Sequence, residues 1–130
     1  MQSLQQFQSI FKTDPVKFEF KDFADEAVFS AATIAALKDA GIDAIYLKPL
    51  SSEQRAGFET SVVGADGKKR DMNNLYARYV ALSWVDDEAK NIGNAKEIGQ
   101  LRADLVAAIF RKVQELNGVA SDSVDEAGKD

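Results

Sequence analysis

Hydrophobic positions along this chain alternate between a helical and a strand spacing. Leu4, Phe7, Ile10 and Phe11 recur at helical intervals and predict a short amphipathic helix over residues 4–12. Asp14-Pro15 ends it, because proline lacks an N–H and restricts the residue before it. In VKFEF, Val16, Phe18 and Phe20 alternate with Lys17 and Glu19, which predicts a strand with one buried face. FSAATIAALKDAG predicts a helix capped by Ser30 and stopped at Gly41. DAIYLKPL predicts a second strand, with Ile45 and Leu47 on one face and Tyr46 on the other; Pro49 ends it or puts it at an edge. SSEQRAGFETSVV predicts another helix, opened by a Ser51–Gln54 capping box. GADGKKR follows as a turn or loop.

Two more helices are predicted downstream. Over residues 71–85, Met72, Leu75, Tyr76 and Tyr79 share a face, with Ser83 below them and Val80 and Trp84 to one side. Over residues 94–117, Ile98, Leu101, Leu105, Ile109 and Leu116 form a stripe, with Asn94 and Glu97 at the start and Asn117-Gly118 at the stop. These elements amount to an α+β, mainly α domain of four to five helices with a small N-terminal β element of two short strands. The domain is expected to span residues 1–120. Residues 121–130, SDSVDEAGKD, are polar and acidic and read as a disordered tail.

The last helix is apolar over more than one stripe. With Ile98 as origin and about 100° per residue, Val106, Phe110 and Val113 fall roughly 60–120° from the main stripe. A surface helix needs an apolar arc of about 100°. The excess has two readings: a central helix buried between two layers, or a second apolar face built from Val106, Phe110 and Val113 that binds another subunit or partner.

Composition narrows the chemistry. The chain has 130 residues, no cysteine and no histidine. Disulfides, thiolate nucleophiles, histidine-based triads and the commonest zinc ligands are therefore excluded. The net charge is −5, and the last ten residues hold four acids and one lysine. The body is close to neutral, with Lys68–Arg70 as its one run of three cations, which argues against nucleic-acid binding. No apolar run approaches the ~20 residues of a membrane span, and the N-terminal stretch does not read as a signal peptide. A cytosolic protein is expected.

The sharpest candidate for chemistry is the acidic run Asp86, Asp87 and Glu88 after Trp84. An EF-hand loop needs oxygen ligands at alternating positions and glycine at the sixth. Counting from Asp86 puts Lys90 fifth and Asn91 sixth; counting from Asp87 puts Ala89 third and Ile92 sixth. Both registers fail, and the run reads as a polar connector from one helix to the Asn94 cap of the next. GADGKK lacks the spacing and hydroxyl of a P-loop. The tyrosines and Trp84 read as core residues. Arg55, Arg78, Arg102 and Arg111 read as solvated helix-face charges. An enzyme would require a polar cleft joining Asp86, Asp87 or Glu88 to Tyr76 or Tyr79.

Three segments, IYLKPLSSEQRAGFE, NNLYARYVALSWVDDEAKNI and AKEIGQLRADLVAAIFRKVQELNG, resemble in order the tail assembly chaperones of long-tailed, lambda-like siphophages. The likeness covers residues 43–118. It rests on a strand leading through a leucine–serine cap into a helix, an LxARxVALS-like helix closing on a valine–aspartate–acidic turn, and a last helix closing on LNG. The family turn commonly carries a glycine where this chain has Ala89. The resemblance implies a protein without catalytic activity or cofactor. Such a protein binds the tape measure protein in the host cytoplasm, keeps that long apolar partner soluble, helps recruit tail tube subunits, and is absent from the mature virion. It also implies self-oligomers and, in many members, a longer form made by ribosomal frameshifting. The alternative is a small oligomeric structural or regulatory binding protein without catalytic activity.

Overall fold

The computed structural model describes residues 2–63 and 74–118. These residues form an α+β, mainly α fold of helices around a three-stranded antiparallel sheet. In order, the elements are α1 (Leu4–Ile10), β1 (Val16–Glu19), a 3-10 turn (Phe20–Phe23), α2 (Ala31–Asp39), β2 (Ala44–Leu47), α3 (Ser52–Val63), α4 (Leu75–Ser83), β3 (Trp84–Val85), α5 (Ala95–Ile98) and α6 (Ala103–Leu116). The GADGKKR stretch, Met72 and the acidic tail lie outside the described residues.

Local signals place most of the helix starts. Ser30 accepts from the Thr33 amide. Ser51 and Gln54 exchange side chain-to-backbone bonds of 3.1 and 3.0 Å, a capping box at the head of α3. Asn94 and Glu97 make the same exchange at 2.9 and 3.0 Å. Gly41 holds φ +82 just past α2, a conformation that costs glycine little.

The sheet has order β1-β2-β3, pairing Val16 with Leu47, Phe18 with Ile45 and Leu47 with Trp84. Pro49 follows β2, but β2 is the central strand and not an edge. The first strand is one residue shorter than its alternation suggests. Phe20 leaves it to open a 3-10 turn that buries Phe20 and Phe23, while Val16 stays exposed. Burying two phenylalanines against Phe29 outweighs one more rung of an edge strand.

The downstream helices depart further from their periodicity. The helix expected to run through Val85 ends at Ser83, because Trp84 and Val85 pair with β2 as β3. This third strand lies outside the expected two-stranded N-terminal element. Its junction is tied by Ser83: the Ser83 carbonyl accepts from the Lys48 amide at 2.9 Å, and Ser83 Oγ donates to the Lys48 carbonyl at 2.7 Å. The buried face of α4 consequently runs through Ala77, Tyr79, Val80 and Ser83, leaving Tyr76 exposed.

The helix expected over residues 94–117 is broken in two at Gly99–Arg102. A continuous helix puts Ile98 roughly 80° out of phase with Val106. The break rephases the chain, so that Ile98 and the Val106, Ile109, Val113 row all enter the core. Leu101, assigned by periodicity to the main stripe, is left exposed in the turn. The break also admits Asn74, whose side-chain amide donates to the Ala95 carbonyl at 2.8 Å. A Cβ at Gly99 would stand 2.7 Å from the end of the Asn74 side chain, which would have to shift to admit it.

Helix α6 is the axis of the core. Its half-buried Leu105, Phe110 and Leu116 pack against the same cluster as its buried residues. Lys112 lies over the rings of Phe23 and Phe18 at 5.3 and 5.9 Å. Arg111 is exposed on its helix face, as read from sequence, but it is paired: its guanidinium forks onto Glu26 at 2.6 and 2.5 Å, tying α6 to the segment before α2.

Two outcomes test this packing. Ser83→Ala leaves the Lys48 carbonyl without its buried donor and is expected to lower unfolding stability by about 1–2 kcal/mol in urea titrations. The Arg111 bond holds the Glu26 carboxyl below its ordinary value of 4.5. A depressed carboxyl contributes stability that is complete above the unfolded value and lost as pH falls through the folded one. Glu26→Gln is therefore expected to cost about 1 kcal/mol at pH 7, a figure kept small because Arg111 is half exposed, and nearly nothing well below pH 4.5. Denaturant midpoints at neutral and acid pH check both arms.

Candidate protein-docking surface

The acidic run is used by its own backbone. Asp86 Oδ1 accepts from the amides of Glu88 and Lys90 at 2.8 and 2.9 Å, and the Asp86 amide donates to the Lys90 carbonyl at 2.8 Å. The chain then folds back so that Val85 bridges Asn91 and the Ile92 amide reaches the Trp84 carbonyl. Reversal this tight requires a left-handed residue, and Ala89 supplies it at φ +67. Among the described residues there is no group of three or more acidic side chains that could hold a metal. The cleft containing Tyr76 and that containing Tyr79 include none of Asp86, Asp87 and Glu88.

The residues assigned by sequence to a second apolar face are divided by the fold. Val106 and Val113 are 6% and 0% exposed, and both belong to the hydrophobic core. They are therefore not a free face: the wide apolar arc of α6 is consumed within the chain, by α4 on one side and the N-terminal phenylalanines on the other. Phe110 is half-buried and sits at the protein's edge. Its ring stacks on Tyr76 with centroids 4.3 Å apart and meets Tyr79 edge-on at 5.3 Å; Tyr79 in turn meets Phe58 of α3 at 4.9 Å. Four rings thus run in a row from α3 across α4 to α6. Burial raises the Tyr79 phenol above its ordinary value of 10.0, so it stays neutral.

Clefts open on both sides of this row. One, of about 430 Å³, lies where α4 meets the α5–α6 turn and is lined by Asn74, Leu75, Tyr76, Ala77, Gly99, Leu101, Ala103 and Val106. The other, about 160 Å³, is lined by Arg55, Phe58, Glu59, Leu75, Tyr79, Phe110 and Gln114. Val106 thus contributes to the wall of the larger cleft and Phe110 to the smaller; Val113 lines neither. Leu75, Tyr76 and Leu101 are the exposed or half-exposed members that the sequence reading assigned to helix stripes. Only the break at Gly99–Arg102 turns Leu101 toward Tyr76. Among the described residues that line it, the larger cleft has no charged side chain, which suits an apolar protein surface more than a polar small molecule. No helix among the described residues is long and apolar enough to cross a membrane.

Comparison with family models, curated proteins and solved structures finds no match to this chain.

The left-handed alanine generates a stability prediction. An L-residue pays about 1–2 kcal/mol in that conformation, and glycine loses about 0.4–1 kcal/mol through its freer unfolded chain. Ala89→Gly is expected to stabilise the protein by about 0.5–1 kcal/mol, read as a higher urea midpoint with unchanged slope. A lower midpoint means that the Ala89 methyl makes a packing contact worth more than the strain.

Proposed function

We propose that this chain is a phage tail assembly chaperone of the lambda-like siphophage kind. It binds the tape measure protein in the host cytoplasm, keeps that long apolar protein soluble until the tube forms around it, helps recruit tail tube subunits and stays out of the virion. It works by protein contact, without catalysis or cofactor. Frameshifting into a longer product belongs to the same proposal.

The observation that carries this reading is how the three family-like segments meet. The first lies well apart from the other two in sequence, yet its LKPL stretch bonds to both. Ser83, the serine of the VALS stretch, holds Lys48 of the LKPL stretch through two hydrogen bonds. Asn117, from the closing LNG, accepts from the Leu50 amide at 2.8 Å and donates to the Val113 carbonyl at 2.8 Å. Ala89, at the family's glycine position, has a backbone conformation that favours glycine. Motif residues that stitch one module together have a physical reason to recur together. The apolar cleft beside Tyr76 and Leu101 fits a protein that works by contact with other proteins.

Co-expression provides the test. A tape measure fragment encoded beside this chain is expected to pellet when made alone and to remain soluble and co-purify when this chain is present. A fragment whose solubility is indifferent to the chain overturns the proposal.

A further inference from the structure

The junction between α5 and α6 leaves complementary backbone groups unpaired on its two sides. The turn that ends α5 carries on through Leu101, with the Gln100 and Leu101 amides donating to the Glu97 and Ile98 carbonyls at 3.1 and 3.0 Å. Arg102 then holds φ −56, already a helical value, with ψ 137. Helix α6 starts there without a side-chain cap, and the Ala103 and Asp104 amides make no hydrogen bond to the described residues. Neither do the Gly99 and Gln100 carbonyls. In a continuous helix these groups are each other's partners, Ala103 donating to Gly99 and Asp104 to Gln100.

What keeps the helix bent is phase within one core. Ile98 and Val106 stand roughly 80° apart around a continuous helix. Both are nevertheless buried, at 2% and 6% exposure. The conflict exists only while the two enter the same core. With Ile98 in one core and the Val106, Ile109 and Val113 row in another, the helix can run straight and its hinge groups can pair. One contact belongs to the bent form alone: Arg102 forks onto Asp104 at 3.1 and 2.7 Å, between residues two apart that do not face each other on a helix. Both side chains are exposed, so this pair holds the bend weakly.

We infer that two copies of this chain exchange α6: Arg102 turns helical, Ala95 to Leu116 becomes one helix, and α6 of each copy fills the α6 position in the other. The inference does not rest on the assembly-chaperone reading. Every contact that α6 makes in the single chain is remade with the second copy, including Arg111 to Glu26 and Asn117 to Leu50. Each copy adds the two hinge bonds. Among the described residues no element follows α6, so the exchange threads no helix or strand through the fold. The exchange is reciprocal and closes at two copies. Association costs translational and rotational freedom, so concentration sets the balance. Ile109 and Val113 are fully buried and must leave one core to enter the other, so the two forms interconvert slowly.

The test refolds the 130-residue chain from urea at millimolar concentration and separates the products by size exclusion. A dimer that reverts slowly to monomer on dilution is expected. In it the Ala103 and Asp104 amides should exchange hydrogen about tenfold or more slowly than in the monomer, because they become hydrogen-bonded. Two variants, each checked for folding by circular dichroism, forbid the straight form. Ala103→Pro suits the bent one: it occupies the first helical position, and Arg102 already has the extended ψ that a following proline favours. In a continuous helix the same proline loses its bond and clashes with the Gly99 carbonyl. A Gly-Gly-Ser insertion after Leu101 lengthens the hinge, which favours the single chain. Both variants are expected to refold as monomers only. The inference is overturned if the unsubstituted chain stays monomeric, or if the two amides exchange equally fast in dimer and monomer. It is also overturned if either folded variant dimerises as readily as the unsubstituted chain, since the contact is then an ordinary surface one.

Discussion

The fold depends on one exchange at Ser83. A helix and a strand meet there without a loop between them, and such a junction normally leaves the last carbonyls of the helix without partners. Ser83 resolves it by bonding to Lys48 through both its carbonyl and its hydroxyl, in a position with no solvent access. The residue after the helix is thereby delivered to the edge of β2 and becomes β3. With Trp84 and Val85 held in the sheet, the following acidic residues have to reverse direction. Asp86 and the left-handed Ala89 make that reversal, and Asn94 starts α5 on the far side. The acidic stretch is a structural consequence of the junction.

The same junction sets the angle of α4, and α4 decides what α6 touches. With Ala77, Val80 and Ser83 turned inward, Tyr76 and Tyr79 are turned toward Phe110. The aromatic row from Phe58 to Tyr76 closes one side of α6. Lys112 lying over Phe18 and Phe23, with the Arg111–Glu26 pair beside it, closes the other. A half-apolar helix in a small domain is stable only if two layers cover it. Here both layers come from the same chain. The large apolar side chains left exposed lie instead where the packing stops, at Tyr76 and Leu101 and on α1.

What the sequence by itself determined is what neighbours along the chain decide. The caps at Ser30, Ser51 and Asn94, the Gly41 stop and the pairing-length runs at Val16 and Ala44 all rest on contacts within about four residues, and all lie where the pattern puts them. The turn at Asp86–Glu88 was legible for the same reason, as was the amphipathic pattern of α1. Tertiary structure alone decided the rest. Trp84 and Val85 continue a helical pattern, and only pairing with β2 makes them a strand. Gly99 through Arg102 continue one too, and only the phase needed by Val106, Ile109 and Val113, with Asn74 packed against Gly99, breaks it. Of the candidate face, Val106 and Val113 are buried on the same ground, while Phe110 stays half-buried at the edge. An apolar arc states how much surface a helix must hide, and which partner hides it is fixed by contacts between residues far apart in the chain, which periodicity does not encode.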